Sequence, residues 1–308
     1  MSLIPIVTYA SAAVFVVAVV SRFVKYATLP LHLRWELYPV AHEKGRSHYG
    51  GSYLEELDWW TKPRESSLIG EVRVMAKEIL LLDGVREHNA KHWLRSFPFH
   101  FGLYLLAGFI ALLFAGAVAS VAGVAVTAEG GLVGRVLYYL TYVVGWAGLG
   151  LALIGALALL VRRAFNVEYR EYTKPSDYFN LLFFVATLAL VVGVHASSDP
   201  QFAELRGYFA GLVSLDLTFR GGSLLATEIV LASALVAYIP LTHMSHFFTK
   251  WFMYHSIRWS DEPSVRGGKI EKKVSEALHY PVSWAAPHIR GDGKKTWADV
   301  ATSDVEEK

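Results

Sequence analysis

Five apolar runs, each long enough to cross a bilayer as a helix, break the chain into alternating greasy and polar blocks. A hydrocarbon core of about 30 Å takes about 20 apolar residues in a helix. Residues 3–20, 96–128, 136–161, 178–196 and 223–248 meet that length; the first ends at Arg22 and Lys25, the third at Arg162 and Arg163, and only Glu228 interrupts the last. Backbone polar groups in lipid must pair within their own segment, and no alternating strand pattern competes, so helices are expected. A different period appears in the polar block before the second run. Leu68, Val72, Met75, Ile79 and Leu82 recur every three to four residues, which predicts an amphipathic helix ending near Asp83-Gly84 and lying on the membrane surface or on a partner protein. The tail from Ser260 shows little periodicity.

The pattern therefore predicts an all-α integral membrane protein, a five-transmembrane-helix bundle with a long cytoplasmic loop and a cytoplasmic C-terminal tail. The expected divisions are residues 1–28 as the first transmembrane helix, 29–96 as the loop, 97–258 as a four-helix transmembrane region and 259–308 as the tail. Charge supplies the orientation. Residues 29–96 carry ten Lys and Arg, 162–176 four, and the tail from Thr249 another ten, joined by Arg22 and Lys25; only Arg135, Arg206 and Arg220 fall on the other side. The positive-inside rule then puts the N-terminus outside and the C-terminus in the cytoplasm. Composition agrees: 54% of the 308 residues are hydrophobic and 18% charged, with mean hydropathy +0.34. No cleavable signal peptide is expected, since no basic segment precedes the first run.

The chain has no cysteine and twelve histidines. Disulfides, thiolate-held iron–sulfur clusters and thioether-linked haem are thereby excluded, and histidine is left as the ligand for any redox centre. Under the expected topology eleven histidines fall at or near the cytoplasmic side. His100 lies one turn into the second run, and His243 and His246 close the fifth at a similar depth. Two imidazoles from different helices at one level suit bis-histidine ligation of a b-type haem. The alternative is that these histidines hydrogen-bond at the interface and bind nothing. His92, His255, His279 and His288 read as surface residues. His195 and Glu228 are the titratable groups in the outer halves of their helices, either around a quinone headgroup or as an end-cap and a snorkelling carboxylate. Gly145, Gly148, Gly150 and Gly155 in the third run read first as a close-packing stripe. The clean span centres and the lack of an internal repeat weigh against a transporter.

Several motifs carry a resemblance. Phe99-His100-Phe101-Gly102, Asp177-Tyr178-Phe179-Asn180 and the stretch from Pro240 through His243 and His246 to Phe248 resemble the gamma subunit of respiratory nitrate reductase, a membrane cytochrome b. The segments 33–42, with Trp35 and His42, and 283–297, with Trp284, His288 and Trp297, are similar to versions in sulfate-reducer complexes that pair with a heterodisulfide-reductase-like subunit. The resemblance implies a haem b membrane subunit, part of a quinone-linked oxidoreductase in a prokaryotic cytoplasmic membrane. It would pass electrons between menaquinone and a cytoplasmic iron–sulfur subunit, with a periplasmic multihaem cytochrome c as a further candidate partner and no role for nucleic acid. It places a cytoplasmic-side haem on His100 and His246, with His243 where the family has a basic residue. The family's second haem would need ligands at Ile110 and Glu228, neither of the expected kind. A haem-free membrane anchor is the alternative.

Overall fold

A computed structural model describes residues 2–28, 43, 45, 52–63, 65–260, 262–286 and 289–303. The segment 33–42 with Trp35, and His288 in the tail, lie outside the described residues. Five helices are long and apolar enough to cross a membrane. They are α1 (Leu3–Thr28), α4 (Ala90–Val121), α5 (Leu132–Phe165), α7 (Pro175–Ser197) and the segment Ser223–Leu241, formed by α9 (Ser223–Tyr238) and a 3-10 turn. Between them lie α2 (Leu68–Leu81), α3 (Asp83–His88), α6 (Val167–Glu171) and α8 (Ala203–Val213). After α9 come α10 (His246–Phe252), a π-helical turn, α11 (Lys269–Leu278) and α12 (Trp297–Thr302). Among the described residues the only strands are the two-residue pair Ala285–Ala286 and Ile289–Arg290. The all-α, five-span expectation holds.

The chain forms two compact units. One comprises Met1–Ala18 with Met75–His243, the other Val19–Val74 with Met244–Lys308.

In the first unit, α4 and α5 run antiparallel in close contact, and the glycine stripe explains why. A Cβ built on Gly155 would lie 2.3 Å from the Phe99 nitrogen, and one on Gly102 2.3 Å from the Ala152 nitrogen. Gly145 faces the Phe109 ring and Gly148 faces Leu105 and Leu106. The stripe is filled by α4 itself, the packing mode expected where helices associate through van der Waals contact alone. Gly150, by contrast, has nothing within 4 Å of its Cβ position. Gly155→Ala is therefore expected to lower the unfolding temperature of the solubilised protein, at an overpacking cost of about 1–3 kcal/mol. Gly150→Ala is expected to leave it unchanged or raise it. Equal melting curves for the two variants would refute this account of the stripe.

The fifth run departs from expectation. Its apolar length predicts one helix to residue 248, yet α9 stops at Tyr238. Pro240 has no N–H to give to Val236 and its ring crowds that carbonyl, so the α-helix cannot continue. The chain passes through the 3-10 turn Ile239–Leu241, is extended at Thr242 (φ −112°, ψ −176°), and makes a second 3-10 turn at His243–Ser245. His246 opens α10. His243 and His246 therefore do not share one continuous helix face.

Within the second unit, α1 is held by Arg22, which donates to Ser245 Oγ at 2.7 Å, and by Phe23 edge-on to Phe252. The tail proves partly regular: α11 buries Ile270, one end of the apolar series Ile270, Val274, Ala277 and Leu278.

Candidate functional site

The connection between α7 and α9 gathers the buried charges of the first unit. α7 ends in an apolar turn that carries His195, which has no exposed surface. One turn beyond it, Asp199-Pro200 reverses the chain. The Asp199 carboxylate accepts from the backbone N–H groups of Ala203 (2.7 Å) and Glu204 (3.0 Å), tying off the first turn of α8. This is the job of an N-terminal capping side chain, and it also places a negative charge at the positive end of the helix. Phe202 adopts φ +56°, a left-handed conformation that a bulky residue enters at a cost of about 1–2 kcal/mol. Packing holds it there: its fully buried ring lies 4.6 Å from the His195 ring and 4.8 Å from Phe109, centre to centre.

His195 is satisfied at both nitrogens. Nδ1 is 3.0 Å from the Asp199 carbonyl oxygen and 3.5 Å from its carboxylate; Nε2 is 3.0 Å from Glu228 Oε1. Glu228 is 2% exposed, and its Oε2 has no hydrogen-bond partner. A carbonyl can only accept, so Nδ1 carries hydrogen. The remaining proton sits between Nε2 and Oε1, as carboxylic acid with imidazole or as carboxylate with imidazolium. In either form the pair has no net charge, which permits its burial in an apolar span. Arg206, buried in α8, donates to the Gln201 carbonyl at 2.7 Å and lies 5.2 Å from the Tyr138 ring centre. Burial pulls its pKa below the ordinary value, and the opposite charge of Asp199 works against that shift. A cleft of about 720 Å³ opens beside it, lined by Tyr138, Gln201, Arg206, Gly207 and the 124–129 loop.

The structure thus joins the two outer candidates, 33 positions apart in sequence, into one hydrogen-bonded pair. His195 also reaches the Asp199 carbonyl just past the end of α7, and Glu228 is buried. The hydropathy pattern does not mark Asp199 or Arg206 as neighbours of this pair. The Asp-Pro dipeptide four residues after His195 and just ahead of an acidic helix start was the available signal.

The other candidates are placed as follows. His100 is half-buried in α4, and its Nδ1 is 2.8 Å from the Ser96 carbonyl oxygen, so the hydrogen again sits on Nδ1 and the lone pair on Nε2. That is the tautomer a metal-ligating histidine takes when its second nitrogen is anchored to backbone. His243 is 65% exposed at its side chain, with Nε2 3.7 Å from Asp177 Oδ1; Asp177 is also 3.7 Å from Arg163. His246 is exposed at the start of α10. In the second unit His255 meets the Glu71 carboxylate and stacks on Trp251 at 3.7 Å, so it is no bare surface residue. Among the described residues no three His, Asp or Glu side chains group to hold a metal ion.

No family model matches the sequence, and no curated protein matches it.

Proposed function

We propose that the chain is the membrane subunit of a quinone-linked electron-transfer complex, with haem b held through His100. The observation that carries this reading is the His195–Glu228 pair, a carboxyl and an imidazole hydrogen-bonded at 3.0 Å and buried between two apolar spans. Quinone chemistry couples electrons to protons at membrane depth, and a carboxyl–imidazole pair can take or give one proton there. Asp199 beside the imidazole and Arg206 beyond it offset the charge left in either direction. Because His195 and Glu228 are closed off, a menaquinone headgroup would sit in the cleft beside Arg206 and Tyr138.

His100 fits a haem iron by its tautomer, and the resemblance supplies His246 as the second ligand, with His243 as the rival. Bound haem would supply a one-electron relay at a low-spin iron. The basic segments face the cytoplasm in this reading, with the N-terminus outside. There the aromatic residues Trp59, Trp60, Trp284 and Trp297 offer anchors for an iron–sulfur subunit of the heterodisulfide-reductase type. A multihaem cytochrome c would join from the opposite face.

A pyridine haemochrome spectrum on the purified chain decides the matter. One b-type haem per chain, reduced by a menaquinol analogue, is the expected result. A haem-free preparation would leave a membrane anchor in its place.

A further inference from the structure

Helix α2 carries an exposed apolar face. Leu68, Ile69, Val72 and Leu80 are exposed, Ile69 to 83%. At 100° per residue these four lie within about a third of the helix circumference. Arg73 and Lys77, both exposed, follow on the next sector, four residues apart on one side of the apolar stripe. In water such a stripe is a liability; beside a bilayer it is a seat.

Two hydrogen bonds hold the last turn of α2 against a span. Tyr104 donates to the Ile79 carbonyl at 2.7 Å, and Trp93 donates through Nε1 to the Leu81 carbonyl at 2.6 Å. The last turn of α2 therefore stands beside α4 between Trp93 and Tyr104. Arg95 is the last charged residue of α4, so this is the stretch in which that helix passes from polar surroundings into its apolar run. Tyr104 lies nine residues, or about 13 Å of helix rise, beyond Arg95. A helix tethered at that level with its apolar stripe outward meets acyl chains, and its basic sector meets headgroups.

We propose that α2 is an interfacial helix seated on anionic phospholipid, with Leu68, Ile69, Val72 and Leu80 in the acyl boundary and Arg73 and Lys77 on lipid phosphates. A protein partner would not require the stripe to begin at the membrane boundary, and the two cations match an anionic leaflet. Each basic residue near such a surface is worth about fivefold in partitioning.

The absence of cysteine makes the test direct, because a single introduced cysteine is the only labelling site. Nitroxide labels at Ile69→Cys and Val72→Cys are read in nanodiscs by collision with oxygen, which concentrates in lipid, and with a water-soluble nickel chelate. Val16→Cys on α1 is the lipid reference, and Lys272→Cys on α11 the water reference. The oxygen-to-nickel ratio at 69 and 72 is expected to approach that at 16. A ratio near that at 272, or protection from both reagents as in a protein interface, overturns the proposal. Adding Arg73→Gln and Lys77→Gln should shift the ratio at 72 toward water in discs containing phosphatidylglycerol, but not in phosphatidylcholine alone. An unchanged ratio in the anionic discs would remove the phosphate contacts, and with them the proposal as stated.

Discussion

His195→Leu is expected to destabilise the protein more than Glu228→Leu, and the double variant less than the sum of the two. The order follows from what each change leaves behind. Without Glu228, His195 stays neutral, keeps its Nδ1 bond to the Asp199 carbonyl, and loses one acceptor interaction at Nε2. One buried unsatisfied polar group costs about 1–3 kcal/mol. Without His195, Glu228 keeps no partner on either oxygen, since Oε2 already has none. Stranding one member of a buried pair of this kind costs about 3–5 kcal/mol. Replacing both removes the polar atoms together and restores an apolar contact between α7 and α9. Unfolding in nanodiscs or mixed micelles closes this cycle, and strictly additive losses would mean the two side chains do not interact. Glu228→Gln separates structure from proton transfer. The amide keeps a hydrogen bond to Nε2, so stability should stay near that of the parent, while an amide cannot exchange the proton. If the pair serves quinol oxidation, haem reduction by a menaquinol analogue should fall about 100-fold, the lower range for loss of a positioned acid–base group. Unchanged reduction in a well-folded Glu228→Gln protein would take the quinone chemistry away from this pair.

How far the sequence reached depends on the range of the interactions. The five spans were legible because lipid imposes a minimum length on every apolar run, whatever packs against it. The helix from Leu68 was legible because its period is local; it starts there and ends at Leu81. The close-packed role of Gly145, Gly148 and Gly155 followed from residue size, though only the structure shows that α4 fills the stripe. The break in the fifth span was written in Pro240 but hidden by the apolar residues on either side, which made length the louder signal than the missing N–H. α11 was passed over although Ile270, Val274 and Leu278 stand at helical spacing, because the run is short and heavily charged. The depths of His195 and Glu228 could be estimated from their own helices. Their bond could not, since it depends on how α7 and α9 dock, and the roles of Asp199 and Phe202 depend on a loop whose conformation nothing local announces.

Substituting the three candidate haem ligands should give unequal losses, and the pattern tests the ligand set directly. His100→Ala is expected to abolish the low-spin b-type spectrum. Its ring is held by a backbone carbonyl, so Ser96→Ala, which keeps that carbonyl and removes only the hydroxyl 3.2 Å from Nδ1, should retain haem with at most a small shift in potential. His246→Ala should abolish the spectrum as well. His243→Ala should keep it, because His243 Nε2, the nitrogen a ligand would offer, faces the Asp177 carboxylate at 3.7 Å. Loss of haem in His243→Ala together with retention in His246→Ala would reverse the assignment. By the resemblance a second iron would fall on Ile110, which has no donor atom, and Glu228, whose Oε1 is engaged by His195. One haem per chain is therefore expected, and a measured ratio of two would require ligands other than these.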